Sequence, residues 1–129
     1  MNKRILSILV ENTAGVLSRV SGLFSRRGYN IDSLSVGITT DPNYSRMTVV
    51  CSGDELILEQ ITKQVEKLED VLTVKVLKDG QSVNRELILV KVRVEPEQRP
   101  GISSIVDIFR ANIIDVGKES MIIELTGTK

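Results

Sequence analysis

Ile5-Leu6-Ser7-Ile8-Leu9-Val10-Glu11-Asn12-Thr13-Ala14-Gly15-Val16-Leu17 runs from a strand-like stretch, through a turn of small residues, into a helix-like one. Residues 5–10 are nearly all apolar and branched. Downstream, Val16, Leu17, Val20, Leu23 and Phe24 recur at helical spacing and mark one apolar face. The turn therefore falls at a helix N-terminus, where unpaired backbone N–H groups and the positive end of the helix dipole point outward. Gly15 lets a small anion approach that backbone without meeting a Cβ. By residue type alone, Gly15 reads first as conformational, since a positive φ or close packing explains a glycine there.

Working outward, residues 30–39 alternate Leu34, Val36 and Ile38 with Ser33, Ser35 and Gly37, the period of a strand with one buried and one polar face. Asp41, Pro42 and Asn43 are turn formers. Met47, Val49 and Cys51 then interleave with Arg46, Thr48 and Val50, so the pair reads as an antiparallel hairpin ended by Gly53. Asp54 is placed to cap a helix whose apolar face is Leu58, Ile61, Val65 and Leu68, and residues 71–77 read as a closing strand. The order β, α, β, β, α, β predicts an α+β fold, the ferredoxin-like βαββαβ sandwich, with both helices on one face of a four-stranded antiparallel sheet. The second strand lies at an edge of such a sheet. Its unpaired backbone groups are suited to pairing with a second copy of the same strand, which predicts a homodimer through that edge.

Residues 78–84, Lys-Asp-Gly-Gln-Ser-Val-Asn, read as a linker between a first domain at 1–77 and a second at 85–129. The second repeats the first in outline. A strand-like alternation of Ile88, Val90, Val92 and Val94 leads to Pro100 and Gly101, then to a helical face of Ile102, Ile105, Val106 and Phe109, then to Asn112-Ile-Ile-Asp115. Gly101 is expected where Gly15 falls in the first unit, and Asn112 echoes Asn30, which suggests an internal duplication. The strand at 121–125 is followed only by Thr126-Gly-Thr-Lys129. The second unit is therefore expected to be an incomplete, truncated ferredoxin-like α+β unit, marginal alone or supported by a partner.

Composition narrows the chemistry. Seventeen basic residues balance seventeen acidic ones, which removes the positive excess that nucleic acid or an anionic membrane rewards. Arg19, Arg26 and Arg27 read as a solvated helix face. With no histidine and one cysteine, the usual transition-metal ligand sets and histidine-based triads cannot be assembled, and no metal site is expected. Cys51 cannot form an internal disulfide and reads as a buried structural thiol. The apolar run after Met1-Asn-Lys-Arg4 is too short for a signal peptide or a membrane span, so a cytoplasmic location is expected.

Lys3-Arg-Ile-Leu-Ser-Ile-Leu-Val-Glu-Asn-Thr-Ala-Gly-Val-Leu-Ser-Arg-Val20, continued by Gly22-Leu-Phe-Ser-Arg-Arg-Gly-Tyr-Asn-Ile-Asp-Ser-Leu34, resembles the small, regulatory subunits of acetolactate synthase, also called acetohydroxyacid synthase. Ser45-Arg-Met-Thr48, Leu58-Glu-Gln-Ile61, Arg85-Glu-Leu87, Ile108-Phe-Arg-Ala111 and Ile114-Asp-Val116 resemble the same family, so the likeness covers essentially the whole chain. The first unit resembles an ACT domain, an amino-acid-sensing module. The resemblance implies a non-catalytic chain that binds the catalytic large subunit, stimulates it, and confers feedback inhibition by valine, in some members by leucine or isoleucine, in branched-chain amino acid biosynthesis. It implies no cofactor on this chain: thiamine diphosphate, magnesium and FAD belong to the large subunit.

A valine zwitterion needs N–H donors for its carboxylate, oxygens for its ammonium and a small apolar wall. Amides around Ala14, Gly15 and Val16 suit the first, Asn12 and Asn30 the second, and Val16, Leu17 and Ile31 the third. The resemblance maps valine-site residues onto Asn12, Gly15 and Asn30. Asn12 and Asn30 read otherwise as turn or capping residues. Two alternatives stand beside this reading: an ACT-type sensor of another enzyme, and an acylphosphatase-like hydrolase. The hydrolase needs an arginine aimed into the first turn, and residues 11–17 contain none.

Overall fold

The computed structural model describes residues 2–128 and divides the chain into two compact units, Met1–Ser82 and Val83–Lys129. In the first unit β1 (Asn2–Glu11), α1 (Val16–Arg27), β2 (Asn30–Ile38), β3 (Tyr44–Gly53), α2 (Glu55–Glu66) and β4 (Val71–Leu77) follow one another in the βαββαβ order. The sheet is antiparallel with order β2-β3-β1-β4. The most apolar strand, β1, is thus central, and β2 is an edge.

Alternation decides the core. Leu6, Ile8 and Val10 of β1 share a face with Met47, Val49 and Cys51 of β3, and on that face α1 lays Val16, Val20, Leu23 and Phe24 while α2 lays Leu58, Ile61 and Val65. Asp54 caps α2 as its spacing predicts, its carboxylate accepting from the Ile57 amide. α1 ends at Gly28 with φ 68°, and the Tyr29 amide then donates back to the Phe24 carbonyl.

β2 departs from the sequence expectation of one buried face. Leu34, Val36 and Ile38 remain 39%, 45% and 67% exposed, although Leu34 and Val36 pair with the buried Val49 and Met47. The apolar faces of the helices cover the middle of the sheet, and β2 beyond Ile31 extends past that cover. A bulge between Ile31 and Ser33 sets the phase of the strand, so that Ile31 and Leu34, three residues apart, turn to the same face.

The second unit contains β5 (Glu86–Arg93), α3 (Arg99–Ile108), β6 (Asn112–Val116) and β7 (Ser120–Gly127) in an antiparallel sheet of order β5-β7-β6. A single turn of 3-10 helix, Pro96–Gln98, precedes α3. The structure repeats several details of the first unit. Arg110 takes the left-handed conformation that Gly28 takes after α1, the Ala111 amide donates to the Val106 carbonyl as Tyr29 does to Phe24, and β6 opens on Asn112 as β2 opens on Asn30. A bulge follows at 113–115 as at 31–33. Gly101, in contrast, is not at a helix entrance: it is the third residue of α3, because the 3-10 turn moves the helix start to Arg99. Val106 alone of the expected helical face is buried, leaving Ile105 and Phe109 exposed. Residues 78–84 carry a tight turn, with Gly80 at φ 80° and the Gln81 amide on the Lys78 carbonyl. Among the described residues no helix is long and apolar enough to cross a membrane.

Candidate functional site

Gly15 is the N-cap of α1, with φ 86° and ψ −6° and no side chain capping the helix. Left-handed backbone of this kind is what the turn requires and what a residue with a Cβ resists. Among the described residues the amides of Ala14 and Gly15 donate to no backbone acceptor, and that of Val16 reaches Thr13 only at 3.4 Å. Donors of this kind at a helix start suit a carboxylate.

Asn12 braces the turn. Its backbone N–H donates to the Asn43 carbonyl at 2.8 Å, its Nδ2 donates to the Pro42 carbonyl at 2.9 Å, and its Oδ1 accepts from Ser45 Oγ at 3.1 Å. The β2–β3 turn is thereby tied to the entrance of α1. Of the apolar candidates, Val16 belongs to the core and Ile31 packs partly against it, whereas Leu17 is half exposed beside the turn.

Asn30 lies elsewhere. It opens β2 at the far end of α1, a helix of 12 residues, about 18 Å long at 1.5 Å per residue. There its Nδ2 donates to Asp32 Oδ1 at 2.6 Å, which also accepts from Ser52 Oγ. Within one chain the structure thus brings Asn12, Ala14, Gly15, Val16 and Leu17 together and leaves Asn30 and Ile31 at the opposite end of the sheet.

Arg19, read from the sequence as part of a solvated helix face, is half exposed but reaches back over the turn. A Cβ built on Gly15 would stand 2.9 Å from Arg19 Nη1, so the guanidinium lies directly over the turn. Its Nε is held by Asp70 Oδ2 at 2.5 Å, and that contact raises the guanidinium pKa above its ordinary value. Asp70 is itself fixed, because its carbonyl accepts from the Glu11 amide. The only signal in the sequence was position: Arg19 follows Gly15 by four residues, one helical turn, which stacks the two on one side of α1. The absence of an arginine from residues 11–17 accordingly did not mean the absence of one from the turn.

Cys51 is fully buried in β3, and burial pushes its thiol pKa up. Its Sγ donates to the Arg4 carbonyl at 3.6 Å. Among the described residues no cluster of histidine, cysteine or acidic side chains could hold a metal ion.

Residues 6–73 match the family model of the AHAS small subunit-like ACT domain, and residues 85–129 that of the small subunit of acetolactate synthase. The acetolactate synthase small subunit of Mycobacterium avium is 52% identical over 124 residues, spanning 96% of this chain and 74% of the relative. The isozyme 3 small subunit of Escherichia coli is 52% identical over 126 residues, spanning 98% of this chain and 77% of the relative. The crystal structure of the acetolactate synthase small subunit of Thermotoga maritima superposes with a TM-score of 0.90 at 41% identity, covering the whole of this chain and 81% of that one. The ACT domain of a GTP pyrophosphokinase from Chlorobium tepidum shares the fold at a TM-score of 0.51 over 60% of this chain and 18% identity. The chain belongs to the family of acetolactate synthase small subunits, regulatory chains whose large partner subunit carries the catalytic activity.

Proposed function

We propose that this chain binds valine, with leucine or isoleucine as ligands of the same chemistry, and transmits that binding to the large subunit as feedback inhibition. Without ligand it stimulates the large subunit. Thiamine diphosphate, magnesium and FAD act on that subunit and not here. In this reading residues 1–77 are the amino-acid module, 78–84 the linker and 85–129 a second domain, and the chain works in the cytoplasm.

The observation that carries the proposal is the separation of Asn30 from the Gly15 turn. β2 has nine residues, Asn30–Ile38, and antiparallel pairing of two copies about their midpoint sets Asn30 of one opposite Ile38 of the other. Ile38 leads directly into the β2–β3 turn that Asn12 braces. The pairing therefore brings a partner's Asn30 and Ile31 toward the open end of α1, where amides at 14–16 would take the carboxylate and Leu17 the side chain. The same pairing gives the exposed Leu34, Val36 and Ile38 neighbours on the same face of a joined sheet.

Titration calorimetry with L-valine tests the site, with heats expected from the unaltered chain and none from Gly15→Asp. Equal heats from both would remove the site from this turn. Mixing the chain with a large subunit and following acetolactate formation tests the regulation: stimulation that L-valine reverses is expected, and neither effect would sink the proposal. Such inhibition can extend only as far as valine binds the inhibiting state better, typically about 1 to 3 kcal/mol.

A further inference from the structure

We propose that Arg19 is the side chain that reads the effector's carboxylate, a role resting on the amino-acid site proposed at the turn. The backbone amides of a helix entrance accept any small anion, so by themselves they do not fix where a zwitterion sits. Arg19 adds a directed donor. Its Nε is committed to Asp70, while Nη1 stands over Gly15 and among the described residues donates to nothing. The two ends of the guanidinium are thus divided, one anchored and one presented.

The anchor is firm for a structural reason. The Asp70 side chain is only 17% exposed against 50% for that of Arg19, and the Asp70 backbone is bonded to the end of β1 at Glu11. A guanidinium held this way meets a carboxylate with its planar fork already oriented, which reduces the ordering cost of binding. Gly15 is required for its backbone conformation, and a Cβ there would in addition displace Nη1 from its place over the turn.

The consequence is specific to the carboxylate. The ligand's ammonium is left to the oxygens of Asn12 and Asn30, and its side chain to Leu17 and Ile31, none of which involves Arg19.

The test uses the full chain and L-valine. In nitrogen-proton correlation spectra, the Arg19 Nε–Hε resonance and the backbone amides of residues 14–16 are expected to shift together on saturation with L-valine. Arg19→Gln is expected to weaken L-valine binding about tenfold or more by calorimetry, the loss of one charge-assisted contact. Arg19→Met, which keeps the aliphatic stem, serves if the glutamine variant does not fold. Shifts of the 14–16 amides with an unmoved Arg19 resonance would overturn the role of Arg19 and leave the site standing, as would wild-type affinity in a folded variant. No shift at either place, with L-valine, L-leucine or L-isoleucine, would instead remove the site on which the role rests.

Discussion

Gly15, Arg19 and Cys51 each place a chemical demand that a single substitution can probe. Gly15→Ala puts a Cβ on backbone at φ 86° and against Arg19 Nη1, so a loss of about 1 to 2 kcal/mol is expected in denaturant titration. Gly28→Ala shares the positive φ but meets nothing within 4 Å, so any excess cost at Gly15 isolates the crowding by Arg19. Cys51 predicts a pH dependence. Its folded pKa is raised, so the neutral thiol is favoured by folding: the contribution is complete below the unfolded value near 9.0 and is lost as pH rises through the higher folded value. Unfolding midpoints from pH 8 upward, compared with Cys51→Ala, should fall faster for the unaltered chain. Burial of Cys51 was legible from its alternation with Met47 and Val49. The place of Arg19 was not, because its anchor Asp70 is 51 residues away and only the closed sheet brings them together.

At the scale of the element, local chemistry reads out well and edge geometry does not. Asp54→Ala should cost about 1 kcal/mol by removing the cap on the Ile57 amide, a value that thermal melts of the paired variants can check. β2 asks for a different measurement. Leu34→Asp or Val36→Asp changes residues already half exposed in one chain, so monomer stability should change little, while the proposed edge-strand dimer should be lost in sedimentation. The alternation at 33–38 was plain in the sequence, but alternation says only which residues share a face, not whether a helix reaches over that face. The bulges at 31–33 and 113–115 were also hidden, since an extra residue in a strand leaves no mark in composition. In the structure each bulge follows directly on the asparagine that opens its strand, Asn30 or Asn112.

The whole molecule divides unevenly. Among the described residues the first unit buries thirteen apolar residues in one cluster between its sheet and two helices, whereas the buried apolar residues of the second are Val94, Val106 and Met121. Residues 1–82 alone should therefore melt cooperatively and carry the proposed L-valine site, while residues 83–129 alone should show no cooperative transition by calorimetry. The βαββαβ order was legible because each strand and helix of the first unit carries its own period. The duplication was visible mainly at Asn112, and the placement of Gly101 misled because proline at 100 and glycine at 101 resemble a helix entrance whichever turn they occupy.

Synthesis from the N-terminus gives the strand order a further meaning. β1 is made before the other strands of its sheet, yet it is an internal strand: its register with β3 joins Asn2 to Gly53 and Glu11 to Tyr44, and its other edge waits for β4. Its run Ile5-Leu-Ser-Ile-Leu-Val10, uncharged and largely apolar, thus keeps one edge unpaired after β3 has docked and until β4 has been made, and the flanking Lys3, Arg4 and Glu11 place charge beside it, which disfavours pairing with another nascent chain meanwhile.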